Sequence, residues 1–408
     1  MGKLKNLKYY DVKKVNSIRQ LLDKAVEEAG EKIAFKYKEN GKIKDVTYKE
    51  FNDETNYLGT SLCNINMQDK HIAVIGENSY KWLTVYLTAL KSSGVFVPID
   101  KELPKDDIIN LLIDSDSEIL FFSKRYLNII DDIIEKVPKI KYFIGFDQEE
   151  DTDKILSYQK FINKGKKSFE SGNKKYLSLK SDPNVLKMLV YTSGTTGMAK
   201  GVMLTEHNLV SCVYYGLQVS TVFDCCLSVL PYHHTYEAVA GILVALHHHS
   251  TICINDNLKS VLKNLQLYKP DYIYLVPAFA EIFHKRIWAN AKEGHKTLAL
   301  KFLIKLSNFL RIFKIDLRKK LFKSIHNAFG GNLRKVVVGG APLRAELGDF
   351  FDSIGINLIN GYGITECSPL VSANMDYFND CTTVGIPLPC VDIKLGNLTP
   401  EGDRRNIS

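Results

Sequence analysis

The chain has 408 residues, with 54 Lys and Arg against 46 Asp and Glu, which gives a formal net charge of +8. Its 45% hydrophobic and 25% charged content is ordinary for a globular protein and excludes disordered, collagen-like and disulfide-scaffold chains. No apolar run approaches the ~20 residues that a membrane-spanning helix needs. The N-terminus lacks the apolar core of a secretory signal, and the eight cysteines form no C-x-x-C pair. These features predict a cytoplasmic protein with reduced thiols and more than one structural unit.

The first elements in the chain are a helix and a hairpin. Residues 17–29 are predicted as an amphipathic helix. Asn40-Gly41 marks a tight turn between two short strands in residues 33–46, because this dipeptide favours a two-residue hairpin loop. Thr47 and Glu50 have the spacing of a capping box, which predicts that a new helix begins there.

Two series of alternating strands and helices follow. The first runs through residues 71–146 and the second starts at Val185 and continues to about residue 359. Such alternation is typical of mostly parallel sheets covered by helices on both faces. The polar stretch 147–183 is predicted as the linker between the two series, so we expect residues 1–180 to form a first β/α layer and residues 181–368 a second. Residues 369–408, punctuated by Pro and Gly, are expected to begin a distorted β-barrel.

One motif lies between two apolar strands of this pattern. Residues 192–201 read Thr192-Ser193-Gly194-Thr195-Thr196-Gly197-Met198-Ala199-Lys200-Gly201. Glycines allow backbone N–H groups to point at an anion, hydroxyls add donors, and Lys200 adds a positive charge. The motif therefore predicts a phosphate-binding loop in a strand–loop–strand context. It is not a Walker A loop, which requires Ser or Thr after the lysine at the start of a helix.

This motif resembles the phosphate-loop signature of the adenylate-forming (AMP-binding) superfamily, with Ala199 in the place of the usual proline. Two further segments resemble the same family in the same order: Val338-Gly339-Gly340-Ala341-Pro342-Leu343 and Asn360-Gly361-Tyr362-Gly363-Ile364-Thr365-Glu366. A fourth, Leu230-Pro231-Tyr232-His233-His234-Thr235-Tyr236-Glu237, resembles a segment of the long-chain acyl-CoA synthetases. The chain is thus similar to the large N-terminal domain of these enzymes. The resemblance implies an α/β fold with two mostly parallel sheets in an α-β-α-β-α arrangement and a partial β-barrel.

The resemblance also implies roles for individual residues. The loop from Thr192 to Gly197 with Lys200 is expected to bind the ATP phosphates, and Thr196 and Glu366 to hold Mg²⁺. Tyr362, with Gly339, Gly340, Ala341, Pro342, Asn360, Gly361 and Gly363, is expected to bind adenine, and Thr365 the α-phosphate. The glycines beside Tyr362 would let a flat base approach the backbone. The expected catalytic residues are Thr192, Lys200, His234, Thr365 and Glu366.

The implied reaction joins a carboxylic acid to coenzyme A. The carboxylate attacks the α-phosphate of ATP to give an acyl-adenylate, and the thiol of coenzyme A then displaces AMP. No aspartate stands at residues 230–236 to hold a substrate ammonium group, which disfavours amino acids. His234, Ala238, Gly241, Gly340 and Gly361 are the candidate lining of an acyl pocket, and the small residues after Glu237 are equally consistent with ordinary core packing. Fatty acids are therefore favoured as substrates, with aryl or other carboxylic acids as the alternative.

Several family segments are not found in the sequence. A ribose-binding Thr-Gly-Asp segment, a hinge residue and the small C-terminal α+β domain with its catalytic lysine are missing, so we expect a chain that binds ATP or acyl-adenylate weakly and turns over poorly. A non-catalytic nucleotide- or lipid-binding protein of the same fold is the second hypothesis. The sequence does not indicate the oligomeric state.

The positive charge is concentrated in residues 285–335, where fourteen Lys and Arg against two acidic residues give a net charge of +12. No nucleic-acid-binding motif accompanies this segment, so nucleic acid is not an expected partner. Within residues 296–325 the basic side chains alternate with Leu, Phe and Ile at roughly helical spacing. Two interpretations remain: a helix that covers the core with its lysines solvated, or a basic amphipathic face that contacts an anionic membrane or the phosphates of coenzyme A.

Overall fold

The structure is a computed structural model that describes residues 7–180, 182–192 and 199–394. Of the predicted phosphate loop, Ser193, Gly194, Thr195, Thr196 and Gly197 lie outside the described residues, as does the end of the chain from residue 395.

The described residues form sixteen strands: β1 (Ile33–Glu39), β2 (Lys42–Thr47), β3 (His71–Ile75), β4 (Val95–Ile99), β5 (Ile119–Phe122), β6 (Tyr142–Gly145), β7 (Leu156–Ser157), β8 (Leu186–Thr192), β9 (Lys200–Thr205), β10 (Cys225–Ser228), β11 (Thr251–Ile254), β12 (Tyr272–Leu275), β13 (Lys335–Val338), β14 (Asn357–Gly363), β15 (Leu370–Ala373) and β16 (Ile386–Pro387). The central strands, such as β3, β4, β5 and β12, are short apolar runs that are almost fully buried, as expected for parallel strands that are covered on both faces. The order of the elements confirms the two predicted β/α series.

The same residues form fourteen α-helices: α1 (Ile18–Ala29), α2 (Tyr48–Asn64), α3 (Tyr80–Lys91), α4 (Lys105–Asp114), α5 (Ile130–Lys136), α6 (Tyr158–Glu170), α7 (Glu206–Val219), α8 (Val244–His247), α9 (Val261–Tyr268), α10 (Pro277–Glu293), α11 (Thr297–Ile312), α12 (Arg318–Leu321), α13 (Lys323–Ala328) and α14 (Ala345–Ser353). A π-helix, Tyr236–Leu243, leads into α8. The 3-10 turns are Lys124–Ile129, Leu258–Ser260 and Thr365–Cys367. The predicted capping box opens α2, where Thr47 Oγ1 accepts from the Glu50 N–H and Glu50 Oε2 from the Thr47 N–H.

The strands form two mostly parallel sheets, which confirms the predicted fold class. One has nine strands in the order β16-β15-β14-β13-β12-β10-β11-β1-β2, and the other has seven in the order β7-β6-β5-β3-β4-β8-β9. The antiparallel pairs lie at the edges, in β1–β2, β14–β15–β16 and β8–β9. One apolar core joins the sheets, because Phe96 of β4, Phe35 of β1 and Leu83 of the intervening α3 belong to the same buried cluster.

The predicted division of the layers at residues 180/181 does not follow the sheets. The hairpin β1–β2 from the first part of the chain joins the nine-stranded sheet, where Phe35 pairs with Ile252 of β11. Conversely, β8 and β9 follow residue 181 but join the seven-stranded sheet, through the pair Phe96 and Met188. Each strand can offer its backbone to either sheet, and the alternation of strands and helices does not identify the neighbour.

One further expectation differs from the structure, and the expected beginning of a β-barrel after residue 369 stays a prediction. The stretch 147–183 is not a simple linker, because it contains β7 and α6, and α6 packs against α2. Gly165 permits this close approach, since an added Cβ would collide with the carbonyl oxygen of Tyr57. The strands after residue 369 extend the nine-stranded sheet at its antiparallel edge, and the described residues form no closed barrel.

Candidate functional site

The predicted phosphate loop connects two antiparallel strands. β8 ends at Thr192 and β9 begins at Lys200, and these two residues are paired across the ladder. The predicted strands on the two sides of the motif are thereby confirmed. Thr192 is half-buried and Lys200 is exposed, so the lysine side chain is accessible at the base of the loop.

A cavity of about 400 Å³ lies at the carboxyl ends of four parallel strands of the nine-stranded sheet. Ligands of open α/β sheets bind at this edge. The cavity is lined by Cys212, Gly216, Ser220, Leu230, Pro231, His234, Thr235, Tyr236, Ala240, Val244, Tyr274, Val276, Val337, Val338, Gly339, Gly340, Ile359, Gly361, Tyr362, Gly363, Ile364, Thr365, Pro369, Leu370 and Ala373. No side chain in this lining is an acid, a lysine or an arginine. The structure thus describes a largely apolar chamber with a few polar groups.

Seven of the predicted site residues meet in this lining, from three segments that are distant in sequence: His234, Gly339, Gly340, Gly361, Tyr362, Gly363 and Thr365. Gly340 has φ +77°, a backbone conformation that favours glycine. Tyr362 is half-buried at the end of β14, and Thr365 opens the following 3-10 turn. Tyr362 and four of the glycines that are predicted to bind adenine therefore line the same chamber as Thr365, which is predicted to bind the α-phosphate.

Other predicted residues lie outside the lining. Ala341 and Pro342 are exposed in the bend after β13. Asn360 is buried, and its amide donates to the Thr383 carbonyl at 2.9 Å. Its backbone carbonyl accepts from the Asn374 N–H at 3.0 Å. Asn360 therefore supports the backbone at the end of β14.

The candidate acyl residues divide into two groups. His234, Gly340 and Gly361 line the cavity, whereas Ala238 is fully buried in the core and Gly241 lies against the Glu237 carboxyl group. The π-helix turns both small residues away from the chamber. Another part of the lining comes from Cys212 and Gly216 of α7 and from Ser220 at the C-cap of that helix, and the sequence analysis did not identify these residues. Their spacing of four residues places small side chains on one helix face, and this is a signal that the sequence contains.

The structure gives a packing reason for the two glycines beside Tyr362. An added Cβ at Gly363 would collide with the carbonyl oxygen of Pro369, and one at Gly361 would lie 3.3 Å from the Ser372 carbonyl oxygen. The antiparallel pairing of β14 with β15 therefore requires these small residues. Both glycines also line the cavity, and the expectation that they admit a base to the backbone stays a prediction.

The π-helix fixes two side chains that had no predicted role. The Tyr236 hydroxyl lies 3.1 Å from the Val337 carbonyl and 3.3 Å from the Leu275 carbonyl, at the ends of two parallel strands. Glu237 is buried behind the cavity, where its Oε1 accepts from the Ser228 hydroxyl at 2.5 Å. Burial raises the pKa of Glu237 to about 8, and the Ser228 hydrogen bond only partly opposes this effect. The carboxyl group is thus mainly protonated at neutral pH.

Two adjacent histidines, His233 and His234, follow β10, and the second of them lines the cavity. Their rings are 4.1 Å apart, and His233 Nε2 lies 3.5 Å from Asp100 Oδ1. Burial, followed by the neighbouring His234, lowers the pKa of His233 to about 4. Burial also lowers the pKa of His234, while Asp100 opposes the shift. Both imidazoles are therefore neutral near pH 7, which suits a polar wall that orients a substrate.

The candidate metal ligand lies beside the cavity. Glu366 is exposed in the 3-10 turn that contacts β9, the strand that begins with Lys200. Within the described ranges, no cluster of three or more His, Cys, Asp or Glu side chains could enclose a metal ion. A cation bound by Glu366 would therefore take its other ligands from phosphates and water, and Mg²⁺ is commonly bound in this way. The donor set fits that ion.

The described residues thus form an α/β domain of two mostly parallel sheets with a largely apolar cavity at the carboxyl ends of four strands. The model of the family described as AMP-binding enzyme matches residues 22–403. The chain belongs to this family.

Relatives and solved structures agree with this membership. Fatty acyl-CoA synthetase B of Dictyostelium discoideum is 26% identical over 386 residues, covering 89% of this chain and 56% of that protein. Long-chain-fatty-acid–CoA ligase 1 of Cavia porcellus is 26% identical over 385 residues, covering 86% of this chain and 53% of that protein. The chain thus spans little more than half the length of either relative. The crystal structure of a long-chain-fatty-acid-CoA ligase from Archaeoglobus fulgidus shares the fold, with a TM-score of 0.73 at 18% identity, covering 98% of this chain and 74% of that one.

Proposed function

We propose that the chain forms the substrate-activating part of an AMP-forming acid–thiol ligase that acts on fatty acids. A fatty carboxylate attacks the α-phosphate of ATP, which forms the mixed anhydride of an acyl-adenylate and breaks the bond from the α-phosphorus to the leaving pyrophosphate. The coenzyme A thiolate then attacks the acyl carbon and releases AMP. The meeting of residues 234, 339–340 and 361–365 around one chamber carries this proposal.

Each wall of the chamber has a part in the proposed reaction. Tyr362 and the bend at residues 339–342 would contact adenine, and Thr365 would donate its hydroxyl to the α-phosphate. Lys200, with Thr192 and the loop to Gly197, would neutralise the outgoing phosphates. Positioning and charge neutralisation supply most of the catalysis in such a transfer, because the reacting groups are all anionic.

Magnesium is proposed as the partner of the nucleotide. Glu366 would hold it, together with Thr196 of the loop, and the ion would screen phosphate charge. The exposed carboxylate beside β9 supports this assignment. The neutral His234 would orient the fatty carboxylate without adding a charge.

The apolar lining supports a fatty acid in preference to an amino acid. An ammonium group in this chamber would find no carboxylate in its lining. The wall from α7 and the strand ends would contact methylene groups, which gain from removal of their surface from water. The chamber volume lies within the usual range of small-molecule sites.

The test uses the 408-residue chain with a series of acids from butyrate to stearate and with benzoate. Binding of a non-hydrolysable acyl-sulfamoyl adenosine is measured by calorimetry, and adenylate formation is measured as hydroxamate in the presence of hydroxylamine. We expect binding that strengthens with chain length and slow hydroxamate formation. Equal binding of sulfamoyl adenosine with and without the acyl chain would contradict the fatty acid proposal and favour a nucleotide-binding protein. Preference for the benzoyl compound would make the substrate an aryl acid.

A further inference from the structure

The helix α11 has two opposite apolar faces. One face packs on the core through Leu300, Leu303 and Ile304, with Ser307 buried beside them. A surface helix normally presents polar residues on the face opposite the core. On α11 that opposite face is apolar as well, so the helix resembles a buried helix that lacks its second covering.

The exposed face is made of large side chains at helical spacing. Leu298 is 81% exposed, Phe302 64%, Phe309 56% and Ile312 75%, and Phe313 at the helix end is 62% exposed. The separations of four, seven and three residues place the first four on one side of the helix. Isolated exposed apolar residues are ordinary, but a contiguous row marks an interaction surface. We name these five residues the apolar row.

Lysines surround the apolar row. Lys301 and Lys305 lie between its members, and further lysines flank it at positions 292, 296, 314, 319, 320 and 323. Within the described part of the chain, none of these eight lysines forms an ion pair. The arginines of the region differ, because Arg311 and Arg318 are paired with Asp352, and Arg318 also with Asp316. The free positive charge of the segment is therefore concentrated beside exposed Phe, Leu and Ile side chains.

We propose that this face of α11 docks on an anionic lipid surface, with the apolar row inserted at the boundary of the head groups and acyl chains. A helix with a basic flank and large apolar side chains lies in the plane of such an interface. Lysine stems can extend along the apolar surface so that their ammonium groups reach the phosphates. The described residues contain no helix that is long and apolar enough to cross a membrane.

The charge argues against a protein partner on this face. A second copy of the chain would bring two sets of lysines together across a symmetric interface, and like charges repel there. Protein interfaces are also depleted of lysine relative to the rest of the surface. An anionic lipid surface satisfies the lysines and the apolar row at once. This proposal does not rest on the catalytic function, since no ATP or coenzyme A is needed for the contact.

The test is sedimentation of the 408-residue chain with phosphatidylcholine vesicles, with and without phosphatidylserine. We expect binding that requires phosphatidylserine and weakens with salt. Two double variants separate the contributions: Lys301→Gln with Lys305→Gln, and Phe302→Ser with Phe309→Ser. Each should weaken partitioning by at least about tenfold, since each lysine near an anionic surface contributes roughly fivefold and each buried phenyl ring a similar or larger factor.

The matched control surface lies around α9, where Leu258 and Leu267 are exposed and Lys259 and Lys263 stand beside them. The corresponding Ser and Gln doubles there should leave partitioning unchanged. Unaltered circular dichroism and melting temperature establish that the α11 variants are folded. Equal binding to vesicles with and without phosphatidylserine, or no loss in either α11 double, overturns the proposal. So does reversible self-association in ultracentrifugation that disappears in the Phe302→Ser/Phe309→Ser double, because the occupant would then be a second copy.

Discussion

Two concave regions of this molecule lie at carboxyl ends of parallel strands, and they differ in chemistry. The cavity of about 400 Å³ on the nine-stranded sheet is lined without acids, lysines or arginines. A groove of about 720 Å³ lies mainly at the ends of strands of the seven-stranded sheet and is lined by eight charged residues: Lys38, Glu39, Glu54, Glu77, Lys81, Asp147, Lys166 and Asp256. The groove is the larger of the two, yet every predicted site residue that lines either region lies in the cavity.

Several charged side chains of the groove are paired with other protein groups. Lys38 Nζ lies 2.5 Å from Asp256 Oδ2, and Lys81 Nζ donates to the Phe146 carbonyl at 2.7 Å. The rings of Tyr37 and Tyr80 also line the groove and stack with their centroids 4.9 Å apart. In the cavity, by contrast, polar side chains are few among apolar and small residues, and no lining side chain is an acid, a lysine or an arginine. The candidate site is therefore distinguished by the meeting of the predicted site residues in one apolar lining, and not by the volume of the cavity.

The largest expected effect separates two lysines. Replacing Lys200 by alanine should reduce hydroxamate formation by about 100- to 1000-fold, because one preorganised charge on a developing anion is worth this much. Lys81→Ala in the groove should leave the rate within a few-fold. Hydroxylamine-trapped adenylation of palmitate measures both. A comparable loss in Lys81→Ala would show that the groove participates, and an active Lys200→Ala would remove the phosphate assignment.

The second effect concerns the buried carboxyl group behind the cavity. The pKa of Glu237 is about 8 when folded, against about 4.3 in an unfolded chain. The unfolded state therefore loses this proton first as the pH rises. The wild type should lose up to about 1.4 kcal/mol of unfolding free energy per pH unit between roughly pH 5 and pH 8 from this group. Urea unfolding of Glu237→Gln across that range should lack this loss. Parallel curves for the two proteins would contradict the burial of a protonated Glu237.

The third effect concerns the part of the cavity lining that α7 provides, which was not predicted from the sequence. At Gly216 an added Cβ would meet only the Leu370 side chain, at 3.4 Å, so Gly216→Leu should fold and project into the cavity. We expect KM for palmitate to rise about tenfold or more, since a displaced chain segment loses burial of roughly two methylenes, while butyrate is unaffected. Asn163→Leu in the groove is the matched control. Equal changes for both acids would mean that α7 does not line the acyl path.

Most of the strands and helices of the protein could be predicted from the sequence, but the sheet to which each strand belongs could not. Buried parallel strands are apolar runs, so the strands and helices of both series could be read directly from residues 71–146 and 185–359. The sheet to which each strand belongs could not, because β1–β2 and β8–β9 choose neighbours through contacts distant in sequence. The helix α6 was hidden for a related reason: its lysines face solvent, and its packing depends on a close approach at Gly165.

The candidate site divides in the same way. Residues whose backbone or side-chain chemistry is specific, such as Tyr362, Thr365 and His234, were predicted and lie in one chamber. Apolar and small wall residues were not, since Cys212 and Gly216 have no chemistry that separates a cavity wall from ordinary helix packing. The π-helix adds a rotation that no periodic pattern contains, and it directs Ala238 and Gly241 away from the chamber.

The smallest expected effect is that of replacing Glu54 in the groove, and a large effect there would contradict the distinction between the groove and the cavity. Glu54 lies in the groove beside Tyr80, and burial raises its pKa. A perturbed carboxyl group in a concave region is an ordinary indication of function, so this residue is the strongest argument for an active groove. We expect Glu54→Gln to change adenylation of palmitate by no more than about twofold, which is the range of substitutions outside a site. The same assay, at saturating ATP and over a range of palmitate concentrations, measures kcat and KM separately. A tenfold loss of kcat in this variant, with an unchanged melting temperature, would place part of the chemistry in the groove and end the distinction between the two regions.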